Sequence, residues 1–176
     1  MTGSKSTGYQ NSGDVDNRVR ENYRKQGFLR HAKAQLGKVS PGMAEIILPF
    51  SADVDQHYGF FHGGAIATIV DGAAGAAAYS LLEGGAGVLT TEFKINFLAP
   101  AKGDRLIARG KVIKPGRRLI ICQGDAFIEQ DGSETLVATA LLTMMQVPAS
   151  GNREKNTKEN TKENTEKNRE KNDVTE

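Results

Sequence analysis

The chain has a single cysteine and no tryptophan among its 176 residues. One thiol, Cys122, cannot form an intrachain disulfide, and the sequence contains no CxxC or Cys/His spacing typical of a metal site. We therefore predict a buried structural thiol, no metal and no cofactor. The N-terminal residues also lack the apolar stretch of a secretory signal. A reducing, cytoplasmic location fits these absences.

An excess of one charge is also missing, since the formal net charge is only +2. Basic residues are not interleaved with aromatic ones, so nothing predicts nucleic acid as a partner. Residues 63–82 have about the length of a membrane span, but they are mostly Ala and Gly with Asp71 near the middle. Because insertion scales penalise such a carboxylate by about 2.5–3.5 kcal/mol, we expect no membrane partner either.

Composition divides the chain into three parts. Residues 1–13 are rich in Gly, Ser, Thr and Asn and are predicted to be disordered. Residues 150–176 repeat Lys, Glu and Asn and form a low-complexity charged tail. Residues 14–149 hold almost all the apolar side chains and are predicted to form one domain that opens with an N-terminal helix.

Within this domain, Val15, Val19 and Tyr23 recur at helical spacing, and Gly27 is expected to end that helix. The order of the other elements is predicted as β-β-α-β-β-β-β, with one long apolar helix over about 64–82 and then an antiparallel meander. The predicted strands are 34–39, 43–49, 88–98, 105–114, 119–130 and 134–147. In the predicted strand 88–98, strict alternation of the side chains places Thr90 and Phe93 on opposite faces.

The central helix carries the most informative residues. His62, Gly63 and Gly64 indicate a helix start, where free backbone N–H groups and the macrodipole can hold an oxyanion. Asp71 is a lone carboxylate among small apolar residues, either catalytic or capping a neighbouring strand. Gly63 and Asp71 lie about two turns apart, roughly 12 Å. Either one substrate spans them, or a second chain supplies one of the two.

A basic turn stands between two of the predicted strands. Lys114, Arg117 and Arg118 flank Pro115 and Gly116. Such a cluster can bind phosphates through charge-assisted hydrogen bonds, or it can be a solvated hairpin tip.

These features together resemble the PaaI-like branch of the hotdog-fold acyl-CoA thioesterases, over roughly residues 27–147. The resemblance depends on HGG, on an Asp nine positions after its His, on the strand end NFLAPA and on the later PGR turn. It implies an α+β hotdog fold, in which an antiparallel sheet wraps around one long helix. It also implies a homodimer, or a dimer of dimers as a homotetramer, with active sites shared across the interface.

The resemblance further implies roles for single residues. Asp71 is expected to act as nucleophile or general base, the Gly63 N–H to polarise the thioester carbonyl, and Thr90 to position water or substrate. The substrate-binding set is Gln56, which replaces a shorter Asn of the family, with His62, Gly64, Lys114, Arg117 and Arg118. For His62, the alternative is a hydrogen-bonded residue that only precedes the helix.

The predicted function is hydrolysis of an acyl-CoA thioester to a free acid and coenzyme A. Two alternatives stay open on the same fold: a non-catalytic acyl-CoA sensor and a dehydratase acting on 3-hydroxyacyl thioesters. The dehydratase uses a His with a more distant acidic residue on the helix, whereas Asp71 stands at the thioesterase spacing.

Overall fold

The computed structural model describes residues 12–83 and 85–149. The predicted disordered segment 1–13 lies outside these residues except for its last two, which begin the first helix, and the predicted tail 150–176 lies wholly outside them. The described elements, in chain order, are α1 (Ser12–Tyr23), α2 (Gly27–His31), β1 (Gln35–Ser40), β2 (Met43–Pro49), β3 (Asp55–Gln56), β4 (Phe60–Phe61), α3 (Gly63–Ser80), β5 (Gly87–Phe97), β6 (Arg105–Lys114), β7 (Leu119–Gln130) and β8 (Ser133–Val147).

Six strands form one antiparallel sheet in the order β1-β2-β6-β7-β8-β5, and β3 pairs with β4 in a separate short hairpin. The predicted α+β architecture, a sheet around one long helix, is confirmed. The predicted continuous meander is wrong at one point, because β5 pairs with β8 and not with β6. The apolar pattern of a strand determines which face is buried, but it does not determine which neighbour the strand pairs with.

Helix α3 packs against one face of this sheet through very small side chains. Its buried residues include Ile69, Val70, Ala73 and Ala74, all with no exposed surface. On β6, a Cβ at Gly110 would lie 2.3 Å from the backbone of Ala73, so only glycine allows the helix to approach so closely. Although α3 has 18 residues, no helix in the described ranges combines the length and hydropathy needed to cross a membrane.

The N-terminal helix covers the side of α3 that the sheet leaves open. As predicted, Val15, Val19 and Tyr23 are buried, the first two against Ala side chains of α3. The predicted end of this helix is wrong, because α1 ends at Tyr23 and Gly27 begins the short helix α2.

Strand β5 contains a β-bulge that overturns the predicted alternation. Its pairing with β8 shifts between Thr90 and Glu92. The extra residue, Thr91, shifts the alternation of side chains by one position. Thr90 therefore lies on the same face as Ile95, where Thr90 contacts α3 and Ile95 packs into the core. Thr90 therefore faces the helix, on the side of the sheet where the core lies.

Candidate active site

Asp71 and Thr90 form the first half of the candidate site. Asp71 is half-buried on the third turn of α3. The Thr90 hydroxyl donates a hydrogen bond of 2.7 Å to Asp71 Oδ1 and lies 3.2 Å from the sulfur of buried Met144. No other described residue forms a hydrogen bond with this carboxylate, and Asp71 lines an adjacent cavity. The bulge in β5 creates this pairing by turning Thr90 toward the helix.

Gly63 forms the second half, at the start of α3. His62 is the N-cap residue, and its Nδ1 accepts a hydrogen bond of 2.9 Å from the Gly64 N–H. The cap thus satisfies Gly64, while the Gly63 N–H has no acceptor among the described residues. A Cβ at Gly63 would lie 3.4 Å from the Phe97 ring, which shows how close that ring lies. The free donor at the helix start is therefore Gly63.

The two halves lie at different cavities of one protomer. Gly63 faces a wide groove of about 710 Å³ that is lined by aromatic and aliphatic side chains. Asp71 and Thr90 face a more enclosed cavity of about 280 Å³. Asp71 lies eight positions after Gly63 on the helix, or about 12 Å along its axis. One protomer therefore cannot bring both groups to a single substrate carbonyl.

Other chemistry is less well supported within the described residues. They contain no group of three His, Cys, Asp or Glu side chains placed to hold a metal ion. Cys122 is fully buried on β7, as predicted, and burial raises the pKa of its thiol to about 11. A thiol with that pKa stays protonated at neutral pH and is a poor nucleophile.

Comparison with known proteins gives the family. The model of the thioesterase superfamily matches residues 58–135. A thioesterase family protein from Silicibacter pomeroyi is 38% identical, with a TM-score of 0.75 over 77% of this chain and 99% of that protein. A Saccharolobus solfataricus protein named as an esterase is 30% identical over 71% of this chain and 81% of its own length. This chain belongs to the thioesterase superfamily.

The PaaI protein of E. coli has the same fold, with a TM-score of 0.71 at 17% identity over 78% of this chain and 96% of that protein. The predicted PaaI-like hotdog fold is therefore confirmed. As a member of the thioesterase superfamily, the chain is a hydrolase, and its reaction class is the hydrolysis of thioesters.

The predicted substrate-binding residues of this thioesterase occupy three places. Gln56 and His62 line the groove of Gly63, and Gln56 Oε1 accepts a hydrogen bond of 3.3 Å from the Tyr58 N–H of its own loop. Gly64 faces a separate cavity of about 400 Å³ on the other side of His62. Gln56, His62 and Gly63 therefore line one groove, Gly64 lines the other cavity, and His62 lies between the two and lines both.

The basic turn lies at the Thr90 end of the sheet. Lys114, Arg117 and Arg118 are exposed on the hairpin between β6 and β7, and none forms an ion pair with a described residue. The strand register places Leu119 and Leu89 on either side of Met145. Since strands lie about 4.8 Å apart, the turn is roughly 10 Å from β5 across the sheet.

Three residues at the Asp71 cavity were missed from the sequence. Asn22 of α1, Gln26 at the start of α2 and Tyr79 of α3 line it together with Asp71. The helical periodicity of α1 identifies its buried face, but it gives no sign of which element the polar edge of that helix approaches. Their place at the cavity depends on the packing of α1 against α3, which is a tertiary contact and leaves no local pattern in the sequence.

Proposed function

We propose that two copies of this thioesterase pair through β5 and hydrolyse an acyl-CoA thioester to a free acid and coenzyme A. One observation carries the proposal: Asp71 and the N–H of Gly63 lie on one helix but face different cavities. A thioester carbonyl needs an attacking oxygen and an oxyanion donor, each within about 3 Å. When the Asp71 carboxylate of one copy lies at the substrate carbonyl, the Gly63 N–H of a second copy can reach the same carbonyl.

Strand β5 has the properties of a pairing edge. It is the last strand of the described sheet, and its large apolar side chains Leu89, Phe93 and Phe97 are 51%, 43% and 52% exposed. An unpaired edge with such side chains readily takes up another strand. Antiparallel pairing of β5 with a second copy, around a two-fold axis, would continue the sheet and cover these residues.

This pairing also explains why the two halves stand at opposite ends of β5. Thr90, near the start of the strand, contacts Asp71, and Phe97, at its end, lies against Gly63. In an antiparallel pair, the end of one strand lies beside the start of the other. The Gly63 half of one copy then meets the Asp71 half of the second, and two equivalent sites form.

The chemistry follows from the free atoms of each half. The thioester carbonyl oxygen would accept a hydrogen bond from the Gly63 N–H, where the helix dipole also stabilises negative charge. Because Thr90 occupies Oδ1 of Asp71, Oδ2 is the atom that activates water or attacks the carbonyl carbon itself. In the first route the water oxygen adds to that carbon, the C–S bond breaks, and the proton taken from the water passes to the sulfur, so that the free acid and coenzyme A leave. In the second route the C–S bond breaks as an anhydride forms with Asp71, and a water molecule then cleaves the anhydride, which restores the carboxylate, releases the free acid and supplies the proton of the coenzyme A thiol.

The basic turn supports coenzyme A as the thiol. The diphosphate and the ribose phosphate of coenzyme A carry several negative charges, which cations near the mouth of the site can bind. Lys114, Arg117 and Arg118 have no acidic partner among the described residues, and they stand at the Thr90 end of the sheet. Guanidinium groups can bind such phosphates with two hydrogen bonds each.

The direct test is release of free thiol from a panel of acyl-CoA esters. Asp71→Asn should lower kcat by about 10²–10⁴, the usual contribution of a general base. Asp131→Asn is the matched control, because Asp131 lies on the distant turn after β7 with a φ of 51°, which Asn also adopts readily. If the wild type binds acyl-CoA and releases no thiol from any ester, the protein is a sensor and the proposal is wrong.

A further inference from the structure

The cavity beside Asp71 lies between α3 and the N-terminal segment that contains α1. Its floor is formed by Asp71 and Gly75 of α3, and its roof by Asn22 of α1 and Gln26. A Cβ built at Gly75 would meet nothing within 4 Å, so that position opens directly into empty space. The cavity begins at the candidate catalytic carboxylate and ends at the roof.

This roof is firmly anchored. Val15 and Val19 of α1 are only 1% exposed and pack against α3. Arg18 donates a hydrogen bond of 3.0 Å to the Ser80 carbonyl, and its guanidinium lies 5.3 Å from the centre of the Tyr79 ring. Since these contacts hold α1 on α3 beside the cavity, the roof limits what can enter.

Two amide side chains belong to the roof. The side chains of Asn22 and Gln26 are half-buried, and neither forms a hydrogen bond with a described residue. Half-buried amides gain from a polar partner, because burial has removed part of their hydration. A bound group that carries a hydroxyl could supply that partner.

We propose that this cavity receives the acyl group and that Asn22 and Gln26 select short acyl groups bearing a hydrogen-bonding substituent. The inference rests on the proposed function, which places the thioester carbon at Asp71. The long pantetheine arm of coenzyme A needs an open path, and the 710 Å³ groove of Gly63 offers one. The 280 Å³ cavity, at ~30 Å³ for each water-sized group, holds about nine non-hydrogen atoms.

The test compares kcat/KM for acetyl-, butyryl-, octanoyl- and lauroyl-CoA. The wild type should discriminate against lauroyl-CoA, whose chain exceeds the cavity. Gly75→Leu fills the cavity and should lower the octanoyl-to-acetyl ratio at least about tenfold, since a steric mismatch in a pocket has that size of effect. Gly13→Leu is the control, because Gly13 is also helical and a Cβ there meets nothing within 4 Å. Its ratio should equal that of the wild type.

A second variant tests the roof in the opposite direction. Replacing both Asn22 and Gln26 by Ala enlarges the cavity, so the longest accepted chain should increase. The same variant should lose the preference for 3-hydroxybutyryl-CoA over butyryl-CoA that we expect of the wild type. Unchanged ratios in both variants, with hydrolysis intact, would refute the acyl cavity and leave the proposed function standing. Absence of hydrolysis by the wild type would refute both.

Discussion

Replacing Gly63 by proline removes one hydrogen-bond donor and little else. Gly63 is the first residue of α3, the position where proline is most favourable in a helix. The preceding residue, His62, has φ −64° and ψ 137°, which is the conformation that proline requires before it. A Cβ at this position would lie 3.4 Å from the Phe97 ring, an ordinary van der Waals distance. We therefore expect the variant to fold and to keep the His62 cap.

The expected loss of activity is that of an oxyanion donor. Removal of such a donor typically lowers kcat by about 10²–10³, or about 2.7–4 kcal/mol. Gly63→Ala is the matched control, because it adds the same Cβ and retains the N–H. The assay is thiol release from acyl-CoA, with circular dichroism and thermal unfolding to show that both variants are folded. Equal activity of the proline and alanine variants would show that this N–H has no catalytic role.

Mixed dimers extend the same prediction to the shared site. The Gly63→Pro variant lacks the donor, and Asp71→Asn lacks the carboxylate. After unfolding and refolding of an equal mixture, half the dimers are mixed, and each mixed dimer has one intact site and one doubly defective site. Activity should therefore return to about a quarter of the wild-type value when sites are shared across a two-fold interface. Recovery of no activity would mean that each chain holds a complete site, and the reasoning from β5 would be refuted.

Two further predictions concern stability. The hydroxyl of Tyr23 is buried without a hydrogen-bond partner among the described residues, and burial raises its pKa to about 12. Tyr23→Phe should therefore not lower the free energy of unfolding in urea, and it should raise it by at most about 1–3 kcal/mol. A decrease of more than about 1 kcal/mol would contradict this interpretation. Arg109 donates two hydrogen bonds to Glu134 and lowers the pKa of its carboxyl. The Arg109–Glu134 pair stabilises the fold at pH values above the pKa of Glu134 in the unfolded chain, about 4.3. This stabilisation is lost as the pH falls through the lower pKa of the folded state. Glu134→Gln should cost about 1 kcal/mol or less at pH 7, and the difference should shrink as the pH falls below the unfolded value and through the lower folded pKa. A difference that is constant from pH 7 to pH 3 would contradict it.

Local signals in the sequence predicted the elements well where each signal is complete within a few residues. The bounds of β2, β6 and β7 follow from apolar runs that begin or end at Pro-Gly or Asp-Gly turns. The start of α3 follows from HGG, and the structure adds that His62 caps Gly64 and leaves Gly63 free. In each case the residues that determine the bound lie next to the element in the sequence.

Features that depend on two distant segments could not be predicted. The alternation in β5 placed Thr90 on the face away from α3, and only its pairing with β8 produces the bulge that reverses this placement. Similarly, Asn22 and Gln26 approach Asp71 because α1 packs on α3, a contact that no periodicity within α1 specifies. The polar environment of the site was therefore the part that sequence reasoning missed.

In the proposed dimer, β5 both joins the copies and sets the geometry of each site. Thr90 fixes Asp71 at one end of the strand, and Phe97 lies against Gly63 at the other. A shift of two residues in the pairing of the two copies would move the halves by about 7 Å and separate them, whereas the fold of each protomer would not change. In such a dimer, catalysis would therefore constrain the β5 register more than the stability of the protomer does. Substitutions at the exposed residues of β5 should accordingly impair turnover before they impair folding.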